Sequence, residues 1–277
     1  MKVSVVIPIR NDNFSGNLLG LATYSLNTMT RTFDEVILVE FGSPEYLYPK
    51  IEEQMSAKRG NLRVIKVPIE WTNTVIPPDV TFADVLARNI GIRRAKNNVI
   101  VSSNIDIVPS KFDRFDLTQF NEESFYSSNK FMIEHSLVVS LRATGMSWED
   151  IQEHLFENKD KFYRQPMYGG DPWSKVSGCG DFQIGHRNIW FDDGVRGFEE
   201  SLIYKDYTDS NLQKKIIENA RREVLPGTFF YMFHQSHNNI RGIVRSNDVH
   251  ASLWNFGPTT NPETWGFSDI TFEEYII

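Results

Sequence analysis

The sequence predicts an α/β protein built on a mostly parallel, doubly wound central sheet with helices on both faces. Three observations support this fold class. Residues 1–108 alternate short apolar runs with longer segments of helical periodicity. The apolar runs are continuous and rich in Val and Ile, which is typical of strands buried on both faces of a parallel sheet. Each run ends at turn residues, such as Pro8 or the Gly-Ser-Pro at 42–44.

Four strands and three helices alternate in this first half. The predicted strands are Val3–Ile9, Glu35–Phe41, 61–67 and 98–103, and the predicted helices are 17–30, 46–58 and 82–95. Strand order in such a sheet commonly runs 3-2-1-4, which makes the first and fourth strands neighbours at the point where ligands bind. We therefore expect the loop from Pro8 to Asn11 to face the segment from Asn104 to Asp106.

The second half is less regular. Residues 147–162 predict a helix with Ser147 as its N-cap, and residues 209–223 predict a charged helix that ends before a Pro-Gly pair. Residues 229–233 predict a late strand, and the stretch 168–180, rich in Gly, Pro and Trp, predicts a loop.

The C-terminal tail carries aromatic side chains among turn residues, and we expect it to wrap the domain. These residues are Trp254, Phe256, Trp265, Phe267 and Tyr275. The sequence contains no internal repeat, and we interpret residues 1–277 as a single domain whose halves are 1–108 and 109–277.

The net charge and the cysteine content of the chain limit the classes of function that it can have. The formal net charge of −7 argues against a nucleic-acid partner, which a basic face would bind. It does not argue against a nucleotide, because a divalent cation can neutralise a diphosphate. Cys179 is the sole cysteine, so no internal disulfide can form, which fits a reducing compartment. We expect a cytoplasmic location, since no signal peptide and no transmembrane segment are evident.

The triplet N-I-D at 104–106 directly follows the fourth predicted strand. Asn104 and Asp106 alternate, so both side chains can converge on one point while the chain stays extended. An amide oxygen and a carboxylate suit a divalent cation that bridges a diphosphate, although such triplets also start ordinary turns. His234 and His237 follow the late strand, and one of them could complete the site, since mixed oxygen and nitrogen ligation favours Mn²⁺.

Acidic pairs provide candidates for a general base. Glu199 and Glu200 follow a Gly turn, and paired acids can divide the roles of base and orienting group. The pair 192–193 is a competing candidate, and either pair could be a solvated turn. Trp173 in the Gly-rich loop could stack on a sugar ring or simply pack.

Dinucleotide-binding oxidoreductases are disfavoured, because no G-x-G-x-x-G follows the first strand. P-loop NTPases are disfavoured as well, because G-x-x-x-x-G-K-[ST] does not occur in the chain. Arg88 on the third helix is a natural partner for an anion if a phosphate site lies nearby.

These motifs resemble the GT-A glycosyltransferases, in particular the inverting family-2-like group. The segment 3–11, V-S-V-V-I-P-I-R-N, resembles the opening strand and base-binding loop of that family, and V-E-F-G-S-P at 39–44 resembles its V-D-x-G-S motif. The most specific likeness is A-R-N-I-G at 87–91 leading to N-I-D. The stretch 177–200 is similar to the family segment that ends in G-F-D-E, and F-H-Q-S-H at 233–237 is similar to its late metal-binding His.

The resemblance implies an inverting transfer from a nucleotide-sugar, with UDP favoured and GDP possible, to a glycan or other acceptor. It implies nucleotide contacts from Pro8, Arg10, Glu40, Arg88 and the N-I-D segment. For Mn²⁺ or Mg²⁺ it implies Asp106 with His237 or His234. It implies Glu200 or Glu199 as base, with residues 1–108 binding the donor and 109–277 the acceptor.

The sequence departs from the family pattern at Asn104, where an Asp is usual, and at Glu40, which lengthens the usual Asp. Two alternatives therefore remain open at this stage. One is a non-catalytic carbohydrate-binding protein on a degenerate transferase scaffold. The other is a sugar nucleotidyltransferase, which the single Gly and single Arg of the first loop disfavour.

Overall fold

In a computed structural model, residues 1–12, 15–56, 60–164, 181–203, 208–236 and 259–277 are described. The first half forms the parallel part of one sheet, in the order β3-β2-β1-β4. Its strands are β1 (Val3–Ile9), β2 (Glu35–Phe41), β3 (Leu62–Val67) and β4 (Val99–Ser103). Every residue of β1, β2 and β4 is buried, which explains their continuous Val and Ile runs. The predicted strand order is confirmed.

Helices cover both faces of this parallel part. They are α1 (Leu18–Thr32), α2 (Tyr48–Gln54), α3 (Ile69–Val75) and α4 (Asp84–Arg94). Apolar residues of α1 and α2 pack with Val5 and Ile7 on one face of β1. Those of α4 pack with Val6 on the other face. The alternation of side chains along β1 therefore sends successive residues into two separate cores.

The second half extends the same sheet with mixed strand directions. Its strands are β5 (Ile107–Pro109), β6 (Ser124–Glu134), β7 (Tyr163–Arg164), β8 (Phe182–His186), β9 (Glu223–Ser236) and β10 (Glu273–Ile276). Within the described ranges the full order is β10-β3-β2-β1-β4-β8-β6-β9-β5, with β7 paired to β6. Only β6 and β9 pair in parallel here, whereas β8 runs antiparallel to β4 and β10 to β3. The α/β fold class is confirmed, and three of the four parallel strand pairs among the described residues lie in the first half.

The remaining helices correct several predicted boundaries. They are α5 (His135–Ala143), α6 (Trp148–Glu157), α7 (Arg187–Trp190) and α8 (Thr208–Glu218). Ser147 caps α6 as predicted, because its Oγ accepts the backbone N–H of Asp150 at 3.1 Å. Helix α8 is shorter than predicted, because β9 begins at Glu223 and runs through the Pro-Gly pair. The loop predicted at 168–180 lies outside the described residues.

The described part of the tail returns across the first half. Arg94 of α4 donates hydrogen bonds to the carbonyls of Gly266 at 2.7 Å, Phe267 at 2.8 Å and Ile270 at 2.7 Å. Trp265 is 1% exposed, and β10 adds an antiparallel strand at the edge of β3. The tail wraps the domain as expected from 259 onward, whereas Trp254 and Phe256 lie outside the described residues.

Membrane crossing would need a long apolar helix, and none of the helices in the described ranges has both the length and the hydropathy to span a bilayer.

Helix α4 lies unusually close to the sheet at Gly91. A Cβ at this position would overlap Cγ1 of Val6 and lie 3.0 Å from Cγ2 of Val39. Glycine is therefore required by a close approach of helix and strands. This contact fixes the height of α4 above β1 and β2.

We expect Gly91→Ala to destabilise the protein by about 1–3 kcal/mol, because the added methyl group overpacks the interface. Urea unfolding followed by circular dichroism measures the change. In a Val6→Ala background the overlapping Cγ1 is gone and only the contact with Val39 remains, so the same substitution should cost clearly less. An equal cost in both backgrounds would show that the close approach is not the cause.

Candidate functional site

The loops after β1 and β4 lie side by side, because these strands are parallel neighbours. Pro8 is the buried next-to-last residue of β1, and half-buried Arg10 follows it. The backbone N–H of Asn11 donates to Oγ of Ser43 at 2.9 Å, and its side chain donates to the carbonyl of Glu45 at 2.9 Å. These bonds join the loop after β1 to the loop after β2. The parallel pairing of β1 with β4 brings the segment that begins at Asn104 to the same edge of the sheet as the loop after β1, as the predicted strand order implies.

Glu40 is fully buried at the end of β2 and has a structural role. Its two carboxylate oxygens accept the backbone N–H groups of Leu47 and Tyr48, which open α2. Burial raises the pKa of Glu40, and these hydrogen bonds only partly oppose the shift. A direct contact of Glu40 with a nucleoside stays a prediction.

Arg88 is buried on α4 and reaches the end of β4. Its guanidinium donates to Oγ of Ser102 at 2.6 Å and to Oδ1 of Asn104. It also lies 3.7 Å from the carboxylate of Asp84 and 5.6 Å from the ring centroid of Phe198. Arg88 therefore lies at the predicted site and orients its first polar residue, whereas its contact with a donor stays a prediction.

Asn104 bridges a cation and an anion. Its Oδ1 accepts from Arg88, and its Nδ2 donates to Oδ1 of Asp181 at 2.8 Å. The other oxygen of Asp181 pairs with Nζ of Lys130. These four side chains, which we call the amide-bridged network, come from α4, the end of β4, the start of β8 and β6. An Asp at 104 could not donate to Asp181, which explains why an amide stands there.

Asp106 and His234 form a second contact beside this network. Nε2 of His234 lies 3.3 Å from Oδ2 of Asp106, and the backbone N–H of Gln235 donates to the Asp106 carbonyl at 2.9 Å. Burial opposes protonation of His234, but the charge and hydrogen bond of Asp106 outweigh it and raise its pKa. Across the described ranges no three His, Cys, Asp or Glu side chains cluster as a metal site, and His237 lies outside those ranges.

Glu200 is held through one oxygen. Its Oε1 accepts from Nδ2 of Asn89 at 3.0 Å and from the backbone N–H of Gly266 at 2.7 Å. Burial raises the pKa of Glu200, and these two bonds and the charge of Lys215 only partly offset it. Asn89 is fully buried and also bonds both backbone groups of Phe198. The turn that carries Glu199 and Glu200, which we call the acid turn, is thus held between α4 and the tail.

Glu199 is engaged through both oxygens. They accept from Oγ of Ser201 at 2.8 Å, from Nδ2 of Asn211 at 3.1 Å and from the backbone N–H of Thr259 at 3.1 Å. Nearby, Nζ of the buried Lys215 donates to the carbonyl of Gly197 at 3.0 Å, and burial lowers the pKa of Lys215 to about 8. Glu199 is therefore a structural anchor in this arrangement.

The competing acidic pair forms a surface turn. Asp192 accepts the backbone N–H of Gly194 at 2.8 Å, and Asp193 pairs with Arg196 at 2.9 Å. The side chain of Asp193 is 92% exposed. These contacts favour the solvated-turn interpretation of this pair.

Asp209 in the first turn of α8 lies near the amide-bridged network. Burial and the charge of Asp181 raise its pKa, whereas the backbone N–H of Ser210 and the charge of Arg88 oppose the shift. Its surroundings therefore include two members of the network. The described partners of Glu200 include none of them.

Four residues of this region were absent from the sequence-based candidates, namely Asn89, Lys130, Asp181 and Asp209. Asn89 stands next to Arg88 in the A-R-N motif, and that adjacency was an available signal. Lys130 and Asp181 gave no local signal, because strand pairing brings them together across 51 positions. Trp173 lies outside the described residues.

Comparison with known proteins supports the fold. No protein-family model matches the chain, and no curated protein matches it significantly by sequence. Among solved structures, S. aureus TarS 1–349 in complex with UDP-GlcNAc aligns at a TM-score of 0.52 and 17% identity, covering 91% of this chain and 64% of TarS.

Two further TarS structures align at a TM-score of 0.47. The complex with UDP is 17% identical, with 84% of this chain and 60% of TarS covered. The structure of TarS 1–349 without a stated ligand is 16% identical, with 85% and 60% covered. The chain thus spans less than two thirds of the TarS fragment, and the shared property is a Rossmann-like α/β fold with a large sheet flanked by helices.

The network makes a testable prediction about position 104. Asn104→Asp should destabilise the protein by about 1–3 kcal/mol, because it places a second carboxylate against Asp181 and removes a donor. In Asn104→Asp/Asp181→Asn the amide and acid exchange places, and the hydrogen bond can form again. A double-mutant cycle from urea unfolding should therefore give a favourable coupling energy. Additive effects of the two substitutions would contradict the bridging role.

Proposed function

We propose that this protein is a metal-dependent glycosyltransferase that moves a sugar from a nucleotide-sugar, with UDP favoured, to a hydroxyl group of a glycan or other acceptor with inversion. The observation that carries the proposal is the convergence of Arg88, Asn104, Asp106 and His234 beside the loop after β1. This place is the switch point of a Rossmann-like sheet, where such folds bind ligands.

The donor assignment rests on the loops after β1 and β2. In the proposed complex the nucleoside lies against Pro8 and Arg10, near Glu40, and the diphosphate extends toward Asn104. The structural likeness to TarS 1–349 supports a UDP-sugar, because that protein was crystallised with UDP-GlcNAc. Motifs at 3–11 and 87–91 support the same assignment.

The chemistry of the donor set fits a divalent cation. Asp106 and His234 bring an oxygen and a nitrogen within 3.3 Å of each other, and mixed ligation suits Mn²⁺. His237, three positions after His234 in the sequence, is the candidate for a further ligand. A cation held there neutralises negative charge on the diphosphate. Metal binding requires neutral His234, which burial favours, and the carboxylate of Asp106 opposes this by raising the pKa of His234.

The acceptor hydroxyl needs a carboxylate base. Sequence favours Glu200 or Glu199, but the structure engages both in the clamp around the acid turn. The charges of Asp181 and Arg88 act on Asp209, whereas the described contacts of Glu200 lead to α4 and the tail, and we therefore favour Asp209 as the base. In the proposed reaction this carboxylate takes the hydroxyl proton while the acceptor oxygen attacks the anomeric carbon in line. The bond to the diphosphate breaks on the opposite side, which inverts the configuration.

Nucleotide-sugar hydrolysis tests the proposal directly. Purified protein is incubated with UDP- and GDP-sugars in the presence of Mn²⁺ or EDTA, and the released nucleotide is quantified. We expect slow release from one donor with Mn²⁺ and loss of release with EDTA. If no donor is hydrolysed and neither UDP nor GDP binds, the transferase proposal fails and the carbohydrate-binding alternative gains support.

Substitution of the three acids identifies the base. We expect Asp209→Asn to lower the transfer rate by about 100-fold or more, the usual contribution of a general base. Glu200→Gln and Glu199→Gln should mainly lower the thermal midpoint. The control is Asp160→Asn, whose side chain is 89% exposed beside Lys159. A comparable rate loss in Glu200→Gln, with Asp209→Asn active, would restore Glu200 as the base.

A further inference from the structure

Strand β5 is a short edge strand, and Asp106 directly precedes it. Among the described strands β5 pairs with β9 alone, where Ile107 lies opposite His234. Its last residue, Pro109, has no backbone N–H to donate to the sheet. So short a ladder does little by itself to fix Asp106 beside His234, the two residues proposed to hold the cation. Contacts outside the ladder are therefore needed.

Gln235 is fully buried near the end of β9 and ties Asp106 to α1. Its backbone N–H donates to the carbonyl of Asp106 at 2.9 Å. Its side-chain Nε2 donates to Oγ of Ser25 on α1 at 2.9 Å and lies 3.5 Å from the same carbonyl. The residue that directly follows His234 therefore reaches the backbone of Asp106 through two of its nitrogen atoms.

His135 fixes the orientation of this amide. Nδ1 of His135 lies 2.8 Å from Oε1 of Gln235. A backbone carbonyl can only accept, so the Nε2 end of the amide faces Asp106 and the oxygen end faces His135. Nδ1 of His135 therefore carries the proton and donates to Oε1. The other ring nitrogen accepts from Nδ2 of Asn17, the N-cap of α1, at 3.3 Å.

We propose that Gln235 is a positioning residue that keeps the carboxylate of Asp106 and the ring of His234 beside each other for a divalent cation, with its amide oriented by His135. This inference rests on the proposed metal-dependent function. Gln235 acts through the backbone of Asp106 and through the strand that carries His234. Removal of groups that orient metal ligands typically weakens metal binding by about 10- to 100-fold.

Gln152 of α6 provides a matched control at the other end of β5. It is 1% exposed, and its Nε2 donates to Oγ1 of Thr32 on α1 at 2.9 Å and to the carbonyl of Pro109 at 2.8 Å. Gln235→Met and Gln152→Met therefore both remove an amide that bridges a hydroxyl of α1 and a backbone carbonyl beside or within β5. We expect both substitutions to lower the thermal midpoint to a similar extent.

Titration with Mn²⁺ alone, followed by the electron paramagnetic resonance signal of the free ion, measures metal affinity. Gln235→Met should bind Mn²⁺ about tenfold more weakly than the wild type, and Gln152→Met should bind it equally. His135→Phe should weaken binding in the wild type but add nothing to Gln235→Met, because it acts through the amide. If circular dichroism shows that Gln235→Met does not fold, Ser25→Ala takes its place with the same expected direction, because it removes the anchor of the amide on α1.

The inference is overturned if the wild type binds Mn²⁺ and Gln235→Met, or Ser25→Ala in its place, binds it equally. It is also overturned if Gln152→Met loses as much affinity, because the loss would then follow stability alone. Additive losses from His135→Phe and Gln235→Met would overturn the role assigned to His135. Absence of Mn²⁺ binding in the wild type instead overturns the metal dependence of the proposed function, and this inference with it.

Discussion

The close contact between α4 and the parallel strands is the constraint on which the candidate site depends. Gly91 allows α4 to lie directly against Val6 and Val39. The distance between the helix and the sheet in turn fixes the position of the helical turn that precedes Gly91. From that turn, Arg88 reaches the end of β4 and Asn89 reaches the acid turn after Gly197. One helix therefore sets the relative position of two loops that are far apart in sequence. The residues of the A-R-N-I-G motif therefore act together: Gly91 sets the distance of the helix from the sheet, and Arg88 and Asn89 each hold one loop.

Polar complementarity then determines which residue types the site tolerates. In the amide-bridged network the amide of Asn104 accepts from the guanidinium of Arg88 and donates to the carboxylate of Asp181, which also pairs with Lys130. Each donor in this chain therefore meets an acceptor. Buried polar groups are stable only when such partners are present. The amide at position 104 is explained once its hydrogen bond to Asp181 is included. Position 104 carries no carboxylate, and Asp181, which directly precedes β8, places one within hydrogen-bond distance of it.

The fold was more predictable from sequence than the site. Strands buried on both faces leave a continuous apolar run, so the bounds of β1 and β2 follow directly from the residues. The long β9 was not foreseen, because the Pro-Gly pair at 226–227 is an ordinary turn signal yet lies within a strand. Within the site, Arg88 and Asp106 belong to local motifs. Lys130 and Asp181 meet only through strand pairing, which periodicity does not encode.

The acid turn illustrates the limit of motif position as a guide to chemistry. The sequence resemblance implies Glu199 or Glu200 as the base, yet their hydrogen bonds connect α4, α8 and the tail. Both oxygens of Glu199 are engaged, so protonation would release donors that hold the fold, whereas Glu200 is engaged through Oε1 alone. Asp209 instead opens α8 beside two charged members of the network. The acid turn contacts α8 through the hydrogen bond from Asn211 to Glu199, and α8 carries the carboxylate that we propose as the base.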